Sequence, residues 1–430
     1  RYRRRTHWLG CFRHVAVLAI PVTIAVALIL VPLLVKTLDR KAGWPLGLTF
    51  LALAGYVIKH ADPILNGKTA TWSVTWIQGI LTGAGGGAGA ASAGGTADAA
   101  ASTGLELALK MDALGLFFTL LALLIGAVVF IYSAAYLHKG DKIMSFYVLM
   151  TSFMLAVLLL VLADDVALLF IGWELVSLAS FFLIARSGSG GEAGAIRTLL
   201  LTFVGGLFLL AALAISVITT GTTNLTAMLH SPAWEGQDVR LAIVAVLIAL
   251  AAFSKAAQIP FHFWLPEAMA ADTPVSAFLH AAAVVKAGVY LLLRFSGLFE
   301  GVMAWHTLLI AIGMTTAIMG AVFAMQKTDL KKLTAYSTVS QLGWIVATIG
   351  VGTPLAISAA LVHTAAHALF KSSLFMIAGV VDHQAGSRDI RRLGPLWRQM
   401  PFTFVSAVIA AASMAAIPPT FGFVSKEGML

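Results

Sequence analysis

The sequence predicts an all-α, polytopic membrane protein with about twelve transmembrane helices. Two observations carry that prediction. Of 430 residues, 60% are hydrophobic and 11% are charged, with a mean hydropathy of +0.93. Apolar runs long enough to cross a ~30 Å hydrocarbon core recur from one end to the other, so a cleaved signal peptide does not explain them. The formal charge of +9 is what Lys and Arg in the loops of a membrane protein produce, and no basic–aromatic module points to nucleic acid. One cysteine, Cys11, excludes a disulfide framework and an all-cysteine cluster. With no nucleotide fingerprint and no haem-attachment motif, no cofactor is expected. Arg1 in place of Met, and an end inside an apolar stretch, read as part of a longer protein.

The segments fall at 15–36, 45–60, 112–137, 143–162, 166–185, 195–219, 239–270 (broken), 274–296, 302–325, 332–350, 354–381 and 401–430 (broken). A basic tail, 1–14, precedes them. Residues 82–104 are nearly all Gly, Ala, Ser and Thr, a flexible low-complexity loop. On either side, Trp72 to Ile77 and Leu105 to Met111 read as short extended pieces on the outer face, marginal as an isolated pair of strands. The five odd-numbered loops with charge carry 14 Lys and Arg, Lys331 and Arg186 among them, against five in the even ones, including Lys110 and Arg294. That bias puts the odd loops in the cytoplasm and the N-terminus outside, although the basic tail opposes it.

Ionisable residues inside a membrane segment are costly and mark function by default. The most informative is Lys255, after the apolar run Leu241 to Phe253 and directly before Pro260, Pro266 and Pro274. Non-helical backbone at membrane depth requires shielding by protein or a wet cavity. Glu174 lies in segment 5, His280 and Lys286 in segment 8, His363, His367 and Lys371 in segment 11, and Lys426 in segment 12 after Pro418 and Pro419. A low dielectric disfavours the charged form of carboxylate and amine alike, while bringing them together favours both charges, so a variable Glu174–Lys255 distance gives a variable proton affinity. His363, His367 and Lys371 are spaced i, i+4, i+8 and share one helix face, as a proton wire requires. Each group also has a structural reading. A Glu–Lys pair can fix helix register, a histidine can bond between helices, and Lys286 or Lys371 can snorkel from a helix end. Eight such groups in one chain favour an ion pathway. Metal binding by His363 and His367 lacks a third ligand at suitable spacing. Asp164 and Asp165 read as solvated loop acids or an ion portal, His262 to Leu265 as an aromatic-anchored loop, and Gly379 to Arg392 as a self-pairing or partner-docking loop.

The motifs Phe261-His262-Phe263-Trp264-Leu265-Pro266-Glu267-Ala268-Met269, Thr273-Pro274-Val275-Ser276-Ala277-Phe278-Leu279-His280, Gly172-Trp173-Glu174-Leu175, Leu333 to Gly343 and His367-Ala368-Leu369-Phe370-Lys371 resemble the proton-conducting antiporter-like subunits. That superfamily includes membrane-arm subunits of respiratory complex I and the large subunits of multisubunit Na+/H+ (Mrp-type) antiporters. Val284-Val285-Lys286-Ala287-Gly288-Val289-Tyr290, the loop Val381 to Ile390, and Pro418-Pro419 with Gly422-Phe423 and Ser425-Lys426-Glu427 are most similar to the large, A-type subunits of the Mrp antiporters. The resemblance implies an antiporter-like inverted-repeat fold, with broken helices 7 and 12 as its paired elements. Residues 15–137 would hold the first three helices, 138–296 one repeat and 297–430 a second, truncated one. It also implies a charge pair of Glu174 with Lys255 and a central axis of His280, Lys286, His363, His367, Lys371 and Lys426. The implied protein is a non-enzymatic, proton-translocating subunit in a bacterial cytoplasmic membrane. Its implied partners are other hydrophobic subunits, the lipid bilayer, and protons with Na+ or a similar monovalent cation. The rival readings are a pumping, non-redox subunit of NADH:quinone oxidoreductase, a subunit of another proton-coupled membrane complex, and an inert scaffold.

Overall fold

Every long apolar run is helical, and short polar side chains set where many of the helices begin. The computed structural model describes residues 2–77, 105–138 and 142–430. Helices α1 (Tyr2–Leu38), α2 (Gly43–Lys59) and the single turn α3 (Asp62–Leu65) lead to strand β1 (Ala70–Ile77), which pairs antiparallel with β2 (Leu105–Met111). Then come α4 (Ala113–Tyr136), α5 (Ile143–Leu162), α6 (Val166–Ala185), α7 (Glu192–Thr220) and the short α8 (Leu225–Leu229). Next are α9 (Asp238–Lys255), the turn α10 (Trp264–Glu267), α11 (Thr273–Ala281), α12 (Val284–Phe295), α13 (Met303–Met325), α14 (Leu330–Val351) and α15 (Pro354–Ala385). The turn α16 (Leu396–Gln399), α17 (Pro401–Met414) and α18 (Phe421–Glu427) follow. Side chains of Asp112, Asp165, Asp329, Thr353 and Thr420 accept the first free N–H groups of α4, α6, α14, α15 and α18.

Segments 4 and 5 coincide with α5 and α6. The first helix does not begin at residue 15: the backbone is helical from Tyr2. Among the described residues, eight stretches are long and apolar enough to cross a membrane, the first of which, Val17–Lys59, holds two helices. That is compatible with twelve segments. The breaks in segments 7 and 12 are present, after Lys255 and after Met414. Segment 8 departs from expectation: it is interrupted between Ala281 and Val284. The three alanines 281–283 contain neither Pro nor Gly, so no local residue announces that break. The Gly/Ala loop 82–104 lies outside the described residues.

Each face of the bundle is pinned by added backbone pairing. On one, the turn after α5 extends the sheet: Asp164 N–H donates to the Ala108 carbonyl, Leu225 N–H to that of Asp164 and Val166 N–H to that of Thr223, each at 2.9 Å. The strand pair is therefore not isolated, and Leu109 and Met111 are buried against the helices. On the other, Leu330 N–H donates to the Arg388 carbonyl and Ile390 N–H to that of Thr328, both at 3.0 Å. The loop after α15 is thereby docked on the start of α14. Within it Asp389 pairs with Arg391, as its mixed charge suggested, and Arg388 reaches out to Asp329 before α14 and to Asp382 of α15.

Candidate functional site

Lys255 ends α9, where the last carbonyls have no helical partner and a cation is favoured. Its side chain is fully buried. Nζ donates to Ser177 Oγ at 2.6 Å and stands 4.7 Å from the Trp173 ring centroid. Ser177 Oγ in turn donates to the Trp173 carbonyl at 3.3 Å. Glu174 lies one turn from Ser177 on α6. Glu174 and Lys255 are close enough to act on each other electrostatically, yet among the described residues no ion-pair contact joins them. Ser177 holds the lysine instead, and sequence reading overlooked it. Glu174 is half-buried, and its Oε1 makes no hydrogen bond within the described chain. It lies against α7, where a Cβ on Gly206 would come within 1.9 Å of Oε1. The glycine makes the slot that the carboxylate fills. The motif Gly205-Gly206, small residues on an apolar helix, was the available signal.

Beyond the break between α11 and α12 the groups form a row. Lys286 Nζ lies 2.8 Å from His367 Nδ1. With lysine donating, the imidazole keeps its hydrogen on Nε2, which has no partner within the described chain. One turn away, His363 Nε2 donates to Gln341 Oε1 and Nδ1 faces Ser425 Oγ, both at 2.9 Å. The Ser425 hydroxyl also reaches the Gly422 carbonyl at 3.0 Å. It can donate to only one of them. Neutral His363 accepts the hydroxyl's hydrogen bond at Nδ1; charged His363 donates from both nitrogens and turns the hydroxyl to Gly422. One turn the other way, Lys371 Nζ donates to the Thr334 carbonyl at 3.2 Å and to Ser337 Oγ, and meets Met414 Sδ at 3.5 Å. Lys426 Nζ donates to the Met414 carbonyl at 2.8 Å, the last residue of α17. His280 stacks on Phe375 at 4.7 Å, and neither of its nitrogens has a partner within the described chain. Lys286 and Lys371 are 1% and 0% exposed, which removes the snorkelling alternative.

Three expectations change. Lys331, counted with the loop cations, is buried and donates from Nζ to the Ala271 carbonyl at 2.8 Å. Arg186 and Arg294, counted likewise, are held in ion pairs with Asp272 and Asp112. Asp164 and Asp165 are not solvated: Asp164 is bonded by Asn224 and Thr226, and Asp165 caps α6. Their neighbours across the fold, at 223–226, supply the partners that the sequence could not show. No group of three or more His, Cys, Asp and Glu suited to a metal ion occurs among the described residues. The aromatic anchor of the loop after α9 is Trp264, which is buried and donates from Nε1 to the Ser254 carbonyl at 2.8 Å.

Residues 163–430, more than half of the chain and the stretch that contains this row, match the family described as NADH:quinone oxidoreductase/Mrp antiporter, TM. The chain belongs to that family. Residues 99–147 match the N-terminal region of chain 5 of NADH-ubiquinone oxidoreductase (complex I). Among curated relatives, the A-type subunit of the Na(+)/H(+) antiporter of Alkalihalophilus pseudofirmus is 37% identical over 417 residues, 93% of this chain and 49% of the relative. An A/B-type subunit of a probable K(+)/H(+) antiporter of Rhizobium meliloti is 44% identical over 326 residues, 75% of this chain and 33% of the relative. A chain in the structure of the Mrp complex from Dietzia sp. DQ12-45-1b is similar with a TM-score of 0.85 and 52% identity, covering 95% of this chain and 42% of that one. A chain of an archaeal membrane-bound sulfane sulfur reductase shares the fold, with a TM-score of 0.78 and 23% identity over 97% of this chain and 81% of that one. The chain thus spans a third to a half of the length of these two antiporter relatives. The antiporter-like fold and the multi-pass membrane character follow from family and helices together.

Proposed function

We propose that the chain is the proton-translocating part of a large subunit in a multisubunit antiporter exchanging protons for Na+ or a similar monovalent cation. Its setting is the bacterial cytoplasmic membrane, with the N-terminus outside and other hydrophobic membrane subunits as partners. Residues 138–296 and 297–430 are read as its two repeats. One observation carries the reading. Lys286, His367, His363 and Lys371, buried on α12 and α15, are joined to one another or to polar groups of α14 and α18 by hydrogen bonds. Packing alone would be served better by apolar side chains. The separation of Glu174 from Lys255, with the lysine held on Ser177, gives the element that can open and close. A proton arriving at Glu174 removes the attraction on Lys255 and lets its ammonium swing from Ser177 toward the row, and displacement of that charge drives cation movement. The names of the relatives support the exchanged ions, and with both Na+ and K+ among them the cation class is monovalent.

Lys255→Ala is expected to abolish cation-dependent pH changes in everted membrane vesicles containing the full-length protein, at an unchanged level of protein in the membrane. Full activity in that variant would refute the assigned role.

A further inference from the structure

We propose that the interrupted segment α11–α12 carries a second proton path from face to face, closed at each end by an arginine–aspartate pair. The inference rests on the function proposed above and extends it to residues outside the row just described. Asp272, directly before α11, is followed by Ser276 and His280 at i+4 and i+8. Lys286, Tyr290 and Arg294 repeat the spacing on α12. Residues four apart stack on one helix face, ~6 Å apart along the axis, which one bridging water spans. Ser276, His280 and Tyr290 are fully buried and Lys286 nearly so. The break at 282–283 falls between His280 and Lys286, in the middle of the series.

The two ends are built alike. At one, Arg186 binds Asp272, while its Nε donates to Ser145 Oγ and its Nη2 to the Lys142 carbonyl, both at 3.1 Å. At the other, Arg294 binds Asp112 through both terminal nitrogens, and its Nε donates to the Tyr290 hydroxyl at 3.0 Å. In each pair the carboxylate is the wetter member and the guanidinium the more buried: 36% against 9% at Asp272–Arg186, and 21% against 12% at Asp112–Arg294. An arginine keeps its charge at any physiological pH and repels an incoming proton, so a guanidinium inside each mouth stops leakage along a polar stripe. Burial alone would raise the Asp112 carboxyl. The hydrogen bond and charge of Arg294, with the Gly115 N–H, outweigh it and leave the group below the usual carboxylate range. That seal stays ionised and shut at neutral pH. Tyr290, accepting from Arg294, keeps its own hydroxyl proton for relay toward Lys286. Lys286 is then a junction between this stripe and His367. Each hop passes one proton from a donor to the next acceptor, and no other bond changes.

The test uses everted vesicles containing the full-length protein with its partner subunits, and a pH-sensitive dye. Tyr290→Phe removes the hydroxyl and keeps the ring against Phe118; it should cut cation-driven proton movement at least tenfold at normal protein level. Arg294→Gln removes the blocking charge at one seal and should speed the decay of an imposed pH gradient at least threefold with no exchangeable cation present. Should that variant fail to accumulate, Arg186→Gln makes the same measurement at the other mouth. Transport within twofold of wild type in Tyr290→Phe, or a pH gradient held as long as in wild type when a seal is opened, overturns the path. Lys255→Ala in the same vesicles keeps the two ideas apart. If it is active, the proposed function fails; if it is inactive while Tyr290→Phe transports normally, only the second path fails.

Discussion

Replacing Lys371 with methionine is expected to stop exchange, lowering the rate about 100-fold or more, the range for losing a positioned proton-transfer group. Lys371 is fully buried and lies at a three-way junction of α14, α15 and α17. Its contacts with Thr334 and Ser337 require an N–H donor, which methionine cannot supply. Methionine matches the length of the stem, so the bundle keeps its packing, and the hydroxyl of Ser337 can still donate to the Thr334 carbonyl. The loss should therefore appear in transport and not in abundance. The measurement is cation-induced alkalinisation of everted vesicles, set against the amount of chain in the membrane. A variant that exchanges at more than a tenth of the wild-type rate would remove Lys371 from the pathway.

Gly288→Ala is expected to destabilise the bundle where its two buried lysines are held. A Cβ at this position would meet the Ala252 carbonyl oxygen at 2.6 Å, the Ala256 amide nitrogen at 2.7 Å and Ala256 Cβ at 2.9 Å. These are mostly backbone atoms at the end of α9, so no side-chain rotation relieves the contact. The two helices must separate where Lys255 and Lys286 are held. Overpacking of this kind costs about 1–3 kcal/mol, which lowers the thermal midpoint of the purified assembly by several degrees. Gly297→Ala is the control: nothing lies within 4 Å of its added Cβ. Equal midpoints for the two variants would show that α9 and α12 are not in rigid contact.

Most of the helical scaffold was legible because a bilayer demands long apolar runs and few residue types interrupt them. Lys255, Pro260, Pro418 and Pro419 announced two broken segments. The break at 282–283 was invisible, since three alanines favour helix and only the surrounding packing overrides them. The full burial of Lys255, Lys286, His363, His367 and Lys371, and the partial burial of Glu174 and Lys426, could be anticipated from their place inside apolar runs. Ser177, Gln341 and Ser425 could not, because a hydroxyl or amide in a membrane helix usually bonds its own backbone and only the fold brings it to a partner. Lys331, Arg186 and Arg294 were misjudged for a related reason. They sit at segment ends, where a cation normally reaches water, and in this chain a carbonyl or carboxylate from a distant helix meets each one first.

The row on α12, α15 and α18 has a property that its individual bonds do not reveal. Lys286, His367, His363, Lys371 and Lys426 meet neutral oxygens, nitrogens and sulfur, and among the described residues no carboxylate pairs with any of them. Two unit positive charges one helical turn apart repel by about 3 kcal/mol at an effective dielectric near 20. That is roughly a hundredfold penalty on filling adjacent positions together. In the pathway proposed above, arrival of a charge at one rung therefore ejects the occupant of the next, and the array is expected to work as a queue that advances one place at a time and never stands full.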